Sequence, residues 1–250
     1  MILIPTLRRL LRATGIVIAF LIGLLITATV SVLLKPVAPG FAGRILRTAK
    51  RLWCIYVCAM LGVRIRQRGT PLSTPGLTVS NHISWLDIII LGALGPFGFV
   101  SKHEVAEWPV VGYLARRTGT LFLQRGDRES TRRVTDDMTS RLKNGDFLVF
   151  FPEGTSSPGT CVLRFHARLF QPALDAGVDV QAVGIAYRDA SRSIAPFVGD
   201  DEFLPHLWQV MALDDIPVDV IFCEPLKTEQ QNRKTLSEHT HRQVVDALLP

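Results

Sequence analysis

The chain has 250 residues, 48% of them hydrophobic, and is long enough to bury a full core without disulfide or metal staples. Its net charge of +6 hides a division: residues 1–86 hold eleven Lys/Arg and no acidic side chain, whereas residues 87–250 hold 17 basic against 22 acidic ones. Apolar runs interleave the basic third and aromatic stacking platforms are missing from it, so its expected partner is an anionic bilayer and not nucleic acid.

Arg8, Arg9 and Arg12 precede 22 uncharged residues, Ala13 to Leu34. As a helix this run measures about 33 Å, close to the ~30 Å hydrocarbon thickness of a bilayer. It outruns the apolar region of a signal peptide, and no small-x-small cleavage site follows it, so it reads as a membrane attachment. Pro36, Pro39 and Gly40 break the helix, and a second helical pattern runs from Phe41 to about Val63. The uncharged part of that pattern, Leu52 to Val63, is about 18 Å long, too short to span. It is predicted to lie along the interface with Arg44, Arg47, Lys50, Arg51 and Arg64 near the headgroups. Cys54 and Cys58, one helical turn apart in it, read as core thiols; with Cys161 and Cys223 they show neither zinc spacing nor a disulfide framework. Either the two helices form a hairpin dipped into the cytoplasmic leaflet, or the first spans with its N-terminus outside. Both place the rest of the chain on the cytoplasmic face of the inner membrane. The expected division is residues 1–64 as anchor and 65–250 as the working domain.

From Arg66 onward short β-like runs alternate with helical ones. Candidate strands are Leu77–Ser80, Gly98–Ser101, Leu121–Gln124, Phe147–Phe151, Val178–Ala186 and Val218–Cys223. Candidate helices are Trp85–Leu94, Val110–Arg117, Arg128–Lys143, His166–Ala176 and Glu229–Leu249. Asp127 or Ser130 is placed to cap the third helix and Asn144-Gly145 to end it. The alternation predicts an α/β fold, a layered mixed sheet flanked by helices, behind an N-terminal membrane-associated helical hairpin.

The first candidate strand ends in Asn81-His82-Ile83-Ser84-Trp85-Leu86-Asp87. Five residues apart on a regular helix, His82 and Asp87 would diverge by roughly 140°. They meet only if His82 lies in the turn and Asp87 in the first helical turn, where a general base and its orienting carboxylate fit. The same spacing recurs at His241 and Asp246, inside a helical pattern, and reads there as a solvated face. Two further stretches stand at strand ends: Gly119-Thr120-Leu121-Phe122-Leu123-Gln124-Arg125, and Phe151-Pro152-Glu153-Gly154-Thr155. Taken singly, Arg125 fits a surface ion pair and Pro-Glu-Gly an ordinary turn.

Together and in this order, these motifs resemble the PlsC-type glycerolipid acyltransferases. Lys102 in Ser101-Lys102-His103-Glu104 and the following Trp108-Pro109-Val110-Val111-Gly112 extend the resemblance over roughly residues 65–190. It implies acyl transfer from a thioester to a lipid hydroxyl, with His82 as general base and Asp87 orienting it. Lys102, Gly119, Phe122, Arg125, Glu153, Gly154 and Thr155 would bind substrate. No cofactor is implied; acyl-CoA or acyl carrier protein serves as co-substrate, and a membrane lipid as acceptor. The acceptor expected first is 1-acyl-sn-glycerol-3-phosphate, giving phosphatidate, with lyso-ornithine lipid as the alternative. The chain departs from the family at Ser156, where an arginine linked to acceptor phosphate is usual, and at Phe165-His166, where Phe-Lys is usual; Arg164 or Arg168 is placed to compensate.

Other chemistries lack their residues. Gly154-Thr155-Ser156-Ser157-Pro158 misses the second glycine of a nucleophile elbow, and no Walker loop or dinucleotide fingerprint is present. Cys161 reads as packing a loop, and Glu238-His239-Thr240-His241 as a polar helix face and not a metal site. A membrane lipid-binding protein is the non-catalytic alternative. His82, Asp87, Glu153 and Gly154 argue against it, since binding alone needs no base.

Overall fold

The computed structural model describes residues 3–124 and 126–249. Two long helices come first: α1 (Leu3–Thr29), continued by one π turn (Val30–Leu34), and α2 (Pro39–Leu61). Pro39 sits in the first turn of α2, where a missing N–H costs nothing. Gly62 ends α2 in the left-handed conformation at φ 76°, and a Cβ there would come within 2.6 Å of the Arg12 guanidinium. A working domain follows, with strands β1 (Val63–Arg68), β2 (Leu77–Ser80), β3 (Gly98–Lys102), β4 (Leu121–Leu123), β5 (Leu148–Phe150), β6 (Val180–Tyr187) and β7 (Ile216–Phe222). Its helices are α3 (Leu86–Leu94), α4 (His103–Ala106), α5 (Pro109–Arg117), α6 (Arg128–Lys143), α7 (Gln171–Ala176), α8 (Ser191–Ile194), α9 (Phe203–Val210) and α10 (Arg233–Leu248).

The seven strands form one sheet in the order β1-β7-β6-β2-β5-β3-β4, parallel throughout except for the antiparallel β6–β7 pair. β2, paired to β5 and β6, is buried along its whole length. The two larger clusters of buried side chains lie one on each face of the sheet, and a small third one, Val30, Ala42 and Leu46, joins the π turn to the start of α2. The first joins α1, α2 and α3 through residues such as Ile16, Val57, Leu61 and Ile90; the second joins α6, α7 and α10 through Met138, Ala173 and Leu236.

The hairpin lies along the working domain. Nη1 of Arg12 donates to the carbonyls of Met211 (3.1 Å) and Leu213 (2.6 Å), and Nη2 to Asp214 (3.1 Å). Phe20 meets Trp53 edge to face at 5.1 Å, and α2 packs on α3. The outer side of α1 is apolar and exposed, with Leu7, Leu11, Ile18, Leu21, Leu25 and Val32 at helical spacing. Thr6–Leu34 is long and apolar enough to cross a membrane.

Three expectations need correction. The basic stretch after α2 is a strand at the sheet edge: Val63 and Ile65 are partly buried, while Arg64 and Arg66 face solvent, the period-two alternation of a strand. Of the basic residues assigned to headgroups, Lys50 donates to the Phe97 carbonyl (2.5 Å) and Arg51 to that of Ala93 (3.2 Å) in the last turn of α3, where carbonyls attract cations. Arg47 lies 3.8 Å from Asp146 and Arg64 3.1 Å from Asp215. The helix expected from His166 instead begins as a 3-10 turn (Ala167–Phe170), because Pro172 opens α7. Helix α6 matches its predicted span and is capped by Asp127, whose Oδ1 accepts from the Glu129 and Ser130 N–H groups.

Candidate active site

The parallel ladder between β2 and β6 is prolonged by a side chain. The Asn81 amide donates to the Ile185 carbonyl at 2.9 Å and accepts from the Ile185 N–H at 2.8 Å, imitating one more strand residue. The chain then turns, with His82 in the turn and Asp87 in the first turn of α3. Nδ1 of His82 stands 2.8 Å from Oδ2 of Asp87. That oxygen also accepts from the N–H groups of Ile83 (2.7 Å) and Ser84 (2.9 Å). Oδ1 accepts from the Tyr187 hydroxyl at 2.7 Å.

Asp87 is fully buried, and four donors converge on its two oxygens, which is what a buried carboxyl group requires. A carboxylate can only accept, which places the imidazole proton on Nδ1 and leaves Nε2 as the proton acceptor. Burial pushes the Tyr187 phenol well above its ordinary value, and the neighbouring Asp87 adds to this, so its O–H stays a donor. Phe151 stacks on the His82 ring at 4.0 Å and fixes its plane.

The Phe151–Ser157 loop is tied to the same turn. The Ser157 N–H donates to the His82 carbonyl (2.8 Å), and the Phe197 N–H to that of Ile83 (2.9 Å). Ser156 Oγ donates to the Phe197 carbonyl. Gly154 takes φ 72°, which turns the chain away after Glu153. Glu153 is buried, and neither carboxyl oxygen makes a well-aligned hydrogen bond among the described residues. Burial pushes its carboxyl up to about 8, outweighing the nearby His82 and Leu163 N–H groups, with the Asp87 charge acting in the same direction.

His82, Phe151, Glu153, Gly154 and Ser156 lie in the wall of a cleft of about 2070 Å³ between the hairpin and the working domain, with Asp87 and Tyr187 behind them. Ile16, Phe20, Trp53 and Val57 give it an apolar side; Lys102, Glu153, Gly154, Thr155 and Arg168 join His82 on the other. Gly119 and Phe122, expected to bind substrate, do not line it. Alternation along β4 sends Leu123 to the cleft and Phe122 the other way, under the Arg116 guanidinium at 5.5 Å. Gly119 accepts instead from Nη1 of Arg141 at 2.5 Å. Arg125 lies outside the described residues. Cys161, expected to pack a loop, is exposed.

Two site residues escaped the sequence reading. Tyr187 was given no role, although the stretch Val180–Tyr187 resembles lyso-ornithine lipid acyltransferases; its only physical signal was a hydroxyl just past the end of a predicted strand. The other is His206, which accepts from Trp85 Nε1 at Nδ1 (3.0 Å) and bonds the Pro196 carbonyl through Nε2 (2.9 Å), holding the wall beside His82.

Residues 63–186 match the model of the family described as Acyltransferase. The chain is 39% identical to a lyso-ornithine lipid O-acyltransferase of Pseudomonas aeruginosa over 97% of its length and 94% of the relative's. A 1-acyl-sn-glycerol-3-phosphate acyltransferase of Neisseria gonorrhoeae is 34% identical over 65% of each chain. The fold matches the crystal structure of PlsC, the 1-acyl-sn-glycerophosphate acyltransferase of Thermotoga maritima, with a TM-score of 0.71 at 22% identity over 99% of this chain and 96% of that one.

Between its ordinary value of 4.5 and about 8, Glu153 holds in the folded state a proton that the unfolded chain has lost. Stability should therefore fall as pH rises through that window, and Glu153→Gln should flatten the dependence of unfolding temperature on pH between 5 and 8. An unchanged slope would place the Glu153 carboxyl in its ordinary range. Tyr187→Phe should lower kcat about tenfold with little change in KM, since it strips one donor from Asp87 without touching the cleft. A variant with full kcat would show that the remaining three donors suffice.

Proposed function

The chain belongs to the PlsC-type acyltransferase family, and on that premise we propose that it transfers a fatty acyl group from a phosphopantetheine thioester to the free hydroxyl of a lyso-ornithine lipid. The observation that supports the chemistry is the His82–Asp87 pair set in the wall of a lipid-sized cleft. Nε2 takes the acceptor's hydroxyl proton as its oxygen attacks the thioester carbonyl. Asp87 stabilises the imidazolium that forms. Collapse of the tetrahedral intermediate breaks the C–S bond, and the departing thiolate recovers the proton from His82. General-base help of this kind is worth about 10²–10⁴ in rate.

The acceptor assignment rests on charge. Lysophosphatidate brings a phosphate and calls for clustered guanidinium groups. Here Ser156 stands where the resemblance leads one to expect an arginine, and its hydroxyl is spent on the Phe197 carbonyl. The cleft mixes signs: Lys102 and Arg168 share it with Glu104, Asp201 and Glu202. A headgroup with one carboxylate and one ammonium suits that mixture better than a dianion. The full-length likeness to the Pseudomonas enzyme points the same way. Lysophosphatidate is the second reading, favoured by the likeness to the Neisseria enzyme and by Lys102 and Arg168 in the cleft.

The hairpin supports a monotopic placement at the cytoplasmic face of the inner membrane. Arg12 at one end of α1 and Phe20 further along both bear on residues packed with the working domain, so α1 cannot leave for the bilayer interior without breaking them. Its apolar outer side then enters one leaflet.

His82→Ala should reduce transfer at least 100-fold while binding to anionic vesicles stays unchanged. Equal activity in the variant would end the general-base assignment. Offered labelled palmitoyl donor with each acceptor, the wild type should use lyso-ornithine lipid with at least tenfold higher kcat/KM. The reverse preference would transfer the assignment to lysophosphatidate.

A further inference from the structure

A second pocket of about 590 Å³ lies between the Val162–Ala167 segment and the outer face of α10, and the acceptor chemistry makes no use of it. Arg164, His166, Lys234, Glu238, His241 and Arg242 give it its polar lining. On α10, Lys234, Glu238 and His241–Arg242 recur at three- and four-residue spacing and so share one side of the helix. Ser237 Oγ donates to the Phe165 carbonyl at 2.8 Å, and the His241 ring packs edge-on to Phe165 at 5.1 Å, which locks the segment to the helix. The floor is therefore rigid and the cations stand on its rim.

The charge there is uncompensated. Neither Arg164 nor Arg242 has an ion-pair partner among the described residues, and Glu238 meets only Lys234, loosely, at 3.9 Å. Three permanent cations against one carboxylate, over a floor of Val162, Phe165 and Val245, form a receptor for a phosphorylated group with an aliphatic arm. Its volume falls within the range usual for small-ligand sites.

Position narrows the choice of ligand. The hairpin covers one face of the sheet and α10 packs on the other, so this pocket faces water and not lipid. Yet it shares His166 and Ala167 with the catalytic cleft, and the His166 N–H is bonded to the Pro152 carbonyl (2.9 Å), next to Glu153. A membrane lipid has no reason to reach this side. The donor does: its acyl chain belongs in the apolar cleft, while its carrier is soluble and anionic. We propose that this pocket seats the phosphate of the donor's phosphopantetheine arm, which then passes over His166 to bring the thioester to His82. Arg164 is thus a donor-side residue, unlike Arg168, which lines the cleft. This assignment rests on the thioester-dependent reading above.

The test uses the full chain in nanodiscs, with Arg164→Ala/Lys234→Ala/Arg242→Ala compared against a charge-matched Arg66→Ala/Arg192→Ala/Arg233→Ala control. The first variant should raise KM for palmitoyl-CoA at least tenfold, with kcat and acceptor KM within about twofold of wild type; the control should change none of them. Binding of unacylated CoA, measured directly, should weaken by the same factor. Dephospho-CoA, which lacks only the ribose 3′-phosphate and keeps the arm's own phosphate, should bind as tightly as CoA and weaken by the same factor in the variant. Binding that needs the 3′-phosphate would overturn the assignment to the arm. Holo acyl carrier protein should show the same dependence on these three residues if it is the carrier. Unchanged donor KM and CoA affinity in the variant would overturn the proposal, as would a rise in acceptor KM alone or a wild type that binds none of the three carriers. Because CoA binding needs no turnover, a wild type that binds CoA through these residues but transfers no acyl group would sink the acyltransferase reading and leave the pocket standing.

Discussion

One buried carboxylate organises the molecule. Asp87 has no contact with water, and an isolated anion so placed would be costed out of the fold or take up a proton. Its oxygens accept from donors in three places: the turn after β2, the His82 ring and the far end of β6. Meeting that demand dictates the geometry around it. The turn must be tight enough to aim two backbone N–H groups inward, and β6 must lie beside β2 in the register that delivers Tyr187. Asn81 secures that register by behaving as backbone. The imidazole is held in one tautomer as a by-product of satisfying the carboxylate, which is how a structural requirement becomes a reactive arrangement.

Glu153 presents the opposite case within the same wall. It is buried without well-aligned donors, so burial prevails and its carboxyl moves up to about 8. Two carboxyl groups in one site therefore sit in opposite surroundings, one ringed by donors and one left without well-aligned ones. Separated roles of this kind follow from environment and not from residue type.

Legibility in the sequence followed the range of the interactions. The strand β2, the turn at His82 and the first turn of α3 are local, and the condition for the pair to meet could be stated from helix geometry alone. Helix α6 was readable because both its ends carry local caps. Tyr187 lies 100 residues from Asp87, and no pattern within either segment announces their contact. The same limit hid β1: its Arg64 was assigned to headgroups because the strand to which it pairs, β7, lies some 150 residues downstream. Phe122 shows the limit at shorter range. The motif indicates which strand approaches the site but not which of its faces does, and alternation sends its aromatic ring outward.

The anchor of this protein is also a wall of its reaction chamber. Arg12, bonded to three carbonyls of the turn before β7, and the Phe20–Trp53 contact make the hairpin a fixed wall of the cleft. Removing it to obtain a soluble fragment would therefore open the chamber along its length, and no truncation can separate solubility from competence. With α1 seated in one leaflet, as proposed, lateral pressure would bear directly on that wall and make the shape of the chamber sensitive to the surrounding bilayer.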